Sequence, residues 1–142
     1  MWNGTTNKKR NNTLEKRKHL KKIFDTLDNY KELKPNWDSY GADKIKDEAI
    51  QSAKLLVDKI SNFINPRSLL CFPVADGCVQ IEFVLGDISF EVEVLNNDEV
   101  GALIQKGQMF VEIDSYTVDT MAELVKETYT LMGKTFIFGD GI

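Results

Sequence analysis

Near Pro73 the apolar residues change from helical spacing to strand spacing, and that change divides the chain. Upstream, Leu20, Ile23, Phe24, Leu27, Tyr30 and Leu33 recur at steps of three and four and form one stripe. Ala49, Ile50, Ala53, Leu56, Val57, Ile60, Phe63 and Ile64 form a second stripe. Downstream the period is two. Val79, Ile81 and Phe83 alternate with Gln80, Glu82 and Val84. Phe90, Val92 and Val94 alternate with Ser89, Glu91 and Glu93, and Met109, Val111 and Ile113 with Gln108, Phe110 and Glu112. Such alternation describes half-buried strands.

The punctuation sets the elements. Thr13 is a candidate N-cap for a first helix that stops before Pro35. A second helix is expected from about Lys46 to Ile64, with Asp43 or Asp47 as its cap and Asn65-Pro66 as its stop. Asp76-Gly77, Gly86-Asp87, Asn96-Asn97-Asp98 and Lys106-Gly107 supply turns, with a shorter strand near Val100–Ile104. A third helix runs from about Val118 to Met132, turning Met121, Leu124, Val125, Tyr129 and Met132 inward. Gly133 suits its C′ position, and Thr135–Phe138 is a candidate last strand. Strands joined by short turns make an antiparallel meander. The expected fold is therefore α+β: two N-terminal helices, a meander of three to five strands and a C-terminal helix, arranged as a two-layer sandwich. Residues 1–12 read as a disordered basic arm and 13–142 as one domain.

Charge is distributed in blocks. Lys8, Lys9, Arg10, Lys16, Arg17, Lys18, Lys21 and Lys22 face only Glu15, so residues 1–22 carry +7 of a chain whose net charge is −4. The remaining residues sum to −11, and from Ser68 onward Lys106, Lys126 and Lys134 oppose thirteen acids. This pattern concerns partners rather than fold. Lys8, Lys9, Arg10, Lys16, Arg17 and Lys18 are candidate phosphate contacts for nucleic acid, although the acidic remainder repels it. The same arm suits an acidic sheet in its own chain or in a second subunit, so a homo-oligomer is one expectation. If the alternating apolar residues face the helices, Glu82, Glu91, Glu93 and Glu112, with Asp114, share the opposite face. Like charges across strands destabilise a sheet. The competing readings of that face are plain solvation, docking to a basic partner protein, or a divalent-cation site serving an enzyme.

Asn36-Trp37-Asp38-Ser39-Tyr40-Gly41-Ala42 is the most distinctive string. Trp37 and Tyr40 either anchor the turn against the helices or stay exposed as a contact hot spot. With Asp76-Gly77, Gln80-Ile81-Glu82-Phe83 and Phe90-Glu91-Val92-Glu93-Val94, this string resembles a loose group of small uncharacterised proteins from bacteria and mobile elements. The resemblance covers about residues 24–95 and implies no shared activity.

Catalytic and cofactor patterns are missing. His19 is the sole histidine and lies in the basic run, no Ser-His-Asp set is recognisable, and Gly139-Asp140-Gly141 lacks the setting of a phosphate loop. No cofactor is expected. Cys71 and Cys78 fit no zinc-ligand spacing and read as buried reduced thiols, with a hairpin disulfide as the alternative. No apolar run approaches the ~18 residues of a membrane span, and no apolar stretch follows the basic N-terminus as in a secretory signal. The sequence thus predicts a cytoplasmic, non-catalytic interaction protein, resembling an antitoxin or an anti-defence inhibitor. The alternatives are a carboxylate- and metal-dependent enzyme and a nucleic-acid-binding accessory factor.

Overall fold

The computed structural model describes the backbone of residues 4–140 and the side chains of residues 13–132. Helix α1 spans Gly4–Asn29 and runs into a 3₁₀ turn at Tyr30–Glu32. Thr13 therefore lies inside the helix and does not start it. Nothing between Thr5 and Asn29 is glycine or proline, so local propensity offers no stop there. The reading of residues 1–12 as a separate arm, with Lys8, Lys9 and Arg10, falls on side chains outside the described residues.

Helix α2 spans Asp47–Ile60. Its N-cap is Lys46, with no side-chain cap bond, so neither Asp43 nor Asp47 caps it. Asp47 and Glu48 instead occupy its first turn, where carboxylates favour the positive end of the helix dipole. Its stripe is closely packed: Ala49, Ile50, Ala53, Leu56, Val57 and Ile60 have no exposed surface.

Five strands follow: β1 Leu70–Pro73, β2 Val79–Leu85, β3 Ile88–Asn96, β4 Glu99–Lys106 and β5 Met109–Tyr116. All neighbours are antiparallel, in the order β1-β2-β3-β4-β5. The meander is thus borne out. β1 is an element that the periodicity missed, because four residues ending in proline are too few to show alternation. Helix α3 spans Val118–Asp140. It passes through Gly133 and replaces the expected strand Thr135–Phe138. A single glycine costs a helix only about 1 kcal/mol, and no proline follows to force an end.

One face of the sheet meets the helices. Val79, Ile81, Phe83 and Leu85 on β2, and Phe90, Val92 and Val94 on β3, are buried there, joined by Val100 of β4. Phe83 and Phe90 are register partners and stack, with ring centroids 4.8 Å apart. α1 packs beside β1, α2 over β2 and β3, and α3 along α2 and over β4. Asp98 joins three elements. Its amide donates to Ser52 Oγ on α2 at 2.9 Å, and its carboxylate accepts from Val118 N–H at the start of α3, also at 2.9 Å.

Candidate functional site: the carboxylate face of the sheet

The register brings Glu82, Glu91, Glu93 and Glu112, with Asp114, onto the face turned away from the helices. Glu82 stands directly opposite Glu91, Glu93 opposite Gly101 and Glu112 opposite Leu103. Among the described residues, no lysine or arginine forms an ion pair with any of these five carboxylates. The Gln80 amide donates to Glu82 at 3.0 Å. Opposed carboxylates at this spacing cost a sheet several tenths of a kcal/mol, in the range ~0.2–1 kcal/mol.

A shallow groove of about 320 Å³ runs across this face, lined by Gln80, Glu91, Glu93, Leu103, Glu112 and Asp114 among others. Gly101 gives it depth. A Cβ there would lie 3.1 Å from the Ile113 carbonyl, so a side chain would require β5 to give by a few tenths of an ångström. The register shift between Val100 and Ala102 falls at the same place.

The face is not uniformly acidic. Leu70 and Phe72 on β1 align with Glu82 and Gln80, and both are exposed, as are Val84 and Phe110. Sequence reasoning missed the β1 pair because it missed β1. The apolar run Leu69-Leu70-Cys71-Phe72 was the available signal.

One end of the face holds a mixed donor set. Single ligand atoms from Asp76, Cys78 and Glu93 lie within 4.8 Å of one another. Burial, and then the neighbouring Asp76 carboxylate, pushes the Glu93 carboxyl above its usual range. Burial first, and then Asp76, pushes the Cys78 thiol up to about 12. Its Sγ donates to the Leu95 carbonyl at 3.6 Å. The Lys46 ammonium lies nearby, donating to Leu95 O at 3.4 Å and Asn96 Oδ1 at 3.3 Å. A thiol held protonated beside a fixed ammonium is a poor start for a cation site, since a metal takes the thiolate. Both cysteines are free, Cys78 buried and Cys71 partly buried.

The connector separates its two aromatic residues. Trp37 is half-buried against the core, and its indole N–H donates to the Asp43 carbonyl at 2.9 Å. Tyr40 is 92% exposed, so it does not anchor the turn. Asp38 carries that role, accepting from Tyr40 N–H at 2.9 Å and Ala42 N–H at 3.0 Å. The connector also clasps the β1–β2 turn, through Asp43 N–H to Ala75 O at 2.7 Å and Lys46 N–H to Gly77 O at 2.9 Å. Gly77 has φ +89°, and a Cβ on it would meet the Lys44 carbonyl at 2.9 Å, so glycine is required there.

The basic residues lie elsewhere. Lys16, Arg17 and Lys18 are exposed on α1, and Lys18 pairs with Glu15 at 3.7 Å. His19 accepts from Arg67 Nε at 3.2 Å. Among the described helices, none is long and apolar enough to cross a membrane.

No protein-family model matches the chain, and neither the curated proteins nor the solved structures contain a match to it.

Proposed function

We propose that this chain is a non-catalytic interaction module that docks the outer face of its sheet on a basic surface of a partner protein. The carrying observation is the group of five carboxylates held on one free face without an ion-pair partner among the described residues. A sheet gains nothing in stability from Glu82 opposed to Glu91. A basic partner turns that cost into attraction and a faster encounter. The exposed Leu70, Phe72, Val84 and Phe110 add apolar area to the same face, which suits an interface with an apolar part and a charged part. The proposal includes a two-layer arrangement in which the helices cover one face and leave the other to the partner.

The target class we propose is a nucleic-acid-binding protein whose basic groove this face occludes, as an antitoxin or anti-defence inhibitor would. Two reduced thiols suit a cytoplasmic setting.

The test is capture from the native host with wild type and with the double variant Glu82→Lys/Glu91→Lys, identifying bound proteins by mass spectrometry. The wild type should retain a basic protein, with an on-rate that falls as salt rises through the range where the Debye length shrinks below ~10 Å. The double variant should lose it. Equal capture by both, with salt-independent association, refutes the reading.

A further inference from the structure

The sheet has two edges, and they are defended differently. β1 is four residues long, ends in Pro73 and has α1 packed beside it. Short length, proline and helix cover are the devices that keep a sheet edge from recruiting another strand. β5 lacks all three, and its one irregularity, the register shift opposite Val100 and Ala102, lies beyond Ile113. It is eight residues long, and from Met109 to Tyr116 it contains no proline, lysine or arginine. Its only charges, Glu112 and Asp114, lie toward its second half. The first three residues are apolar and open on both sides: Met109 is 77% exposed, Phe110 64% and Val111 59%. Val111 pairs with Ile104 and so points to the helix side, yet α3 packs over β4 and leaves Val111 uncovered. Among the described residues, the outward backbone N–H and C=O groups of this edge have no strand to pair with.

We infer that β5 is a dimerisation edge, which pairs antiparallel with β5 of a second copy of this chain to make one continuous ten-stranded sheet. The second copy is the occupant that the side chains select. A two-fold axis through Val111 sets Val111 against its counterpart and Met109 against Ile113 on the helix side. It sets Phe110 against Glu112 on the outer side. Each apolar residue on the helix side then meets an apolar residue, which is the cross-strand pairing that stabilises sheets. Charge excludes the registers centred nearer the C-terminal end of the strand. Moving the axis to Glu112 sets that carboxylate against its own counterpart, and moving it to Ile113 sets Glu112 against Asp114. Both place like charges directly across strands. An isologous contact of this kind closes on itself and stops at two copies. It leaves the carboxylate face open, and it joins the outer faces of both copies into one surface. The inference stands independently of what that face binds.

The experiment is sedimentation equilibrium and light scattering on the full chain over a broad concentration range, with two kinds of variant. Met109→Lys/Val111→Lys places cations on the edge at two exposed positions, so the fold is retained, which circular dichroism confirms. The wild type should be a dimer, and this variant should be a monomer. Val111→Cys should form an intermolecular disulfide on mild oxidation, because directly opposed residues bring their Cα atoms to about 4.5–5.5 Å. Asp114→Cys, remote from the axis, should cross-link at least tenfold more slowly. A wild type that stays monomeric at NMR concentrations overturns the proposal. So does a dimer that survives the lysine substitutions, or equal cross-linking at positions 111 and 114. An open-ended ladder of larger species refutes the two-fold pairing.

Discussion

Glu91→Lys should stabilise the fold while it weakens partner binding. Glu91 is exposed on β3, directly opposite Glu82, with no cation paired to either among the described residues. Directly opposed side chains stand about 4.5–5.5 Å apart at Cβ, and like or unlike charges there are worth ~0.2–1 kcal/mol. The substitution removes one repulsion and creates one attraction. Both partners are at least partly solvated, so each contribution lies in the lower half of that range, and the sum is about 0.5–1 kcal/mol in favour of folding. For a domain of this size that raises the melting temperature by roughly 2–5 °C. Urea titration gives the free energy directly, and an unchanged slope shows that the denatured state is unaffected. The gain should shrink in high salt, because exposed pairs are screened. The same protein should associate more slowly with its partner. A destabilisation beyond about 1 kcal/mol would refute the reasoning, since it would mean that Glu91 already has a favourable role inside the fold. A stability gain with unaltered partner binding would leave the electrostatics intact and remove Glu91 from the docking face.

Asp98→Ala should cost about 1–2 kcal/mol, because it removes the carboxylate that satisfies Val118 N–H at the start of α3. Heat or urea unfolding measures it, and Asp98→Asn should recover most of the loss. Trp37→Ala should cost about 2–3 kcal/mol, less than a fully buried tryptophan, whereas the exposed Tyr40→Ala should change stability by under about 0.5 kcal/mol. A large loss at Tyr40 would contradict its exposure. Burial pushes the thiols of Cys71 and Cys78 and the phenol of Tyr30 up to about 12, so each favours its neutral form in the fold. Their contribution is fully present below the ordinary thiol and phenol values, near 9 and 10, and is lost as pH rises from there toward 12. Stability should therefore fall steeply above pH 9, and Cys78→Ala should flatten that slope. Glu93 is pushed the same way by burial and Asp76, so its ionised form opposes folding above the usual carboxylate range. Glu93→Gln should thus stabilise at pH 7 and give no advantage at pH 3, as paired denaturation curves would show.

The legible parts of this fold were those with a strong local period. α2 and the alternation in β2 and β3 could be read because burial there is one-sided and continuous. Placement of Glu82, Glu91, Glu93 and Glu112 on one face followed from the same alternation, and the register bears it out. β1 was invisible, since Leu70–Pro73 completes only two repeats of a strand period. Gly133 misled because a helix tolerates one glycine when nothing else stops it. For Tyr40 the sequence left both anchoring and exposure open; Asp38 and Asn36 hold this turn through its backbone, which frees the ring. The pairing of Cys78 with Asp76 and Glu93 depends on the β2–β3 register and on the β1–β2 turn together, so spacing alone did not reveal it.

Because every strand pairs only with its neighbour in sequence, no strand has to wait for a distant one. Each hairpin closes over a short loop, and the Phe83–Phe90 pair spans only seven residues. Closure of such loops is rapid, on the order of microseconds for a hairpin. The long-range work falls to α2, whose Ser52 meets Asp98 across 46 residues of chain. Chains rich in local contacts cross their barrier quickly, and the costly step is the one that brings remote segments together. Substitutions that weaken the β2–β3 hairpin should therefore slow folding. Loss of the Ser52–Asp98 link should mainly hasten unfolding, leaving the folding limb of a stopped-flow chevron in place. If Ser52→Ala slows folding as much as it destabilises, the helix docks before the sheet is complete, and that order of events is reversed.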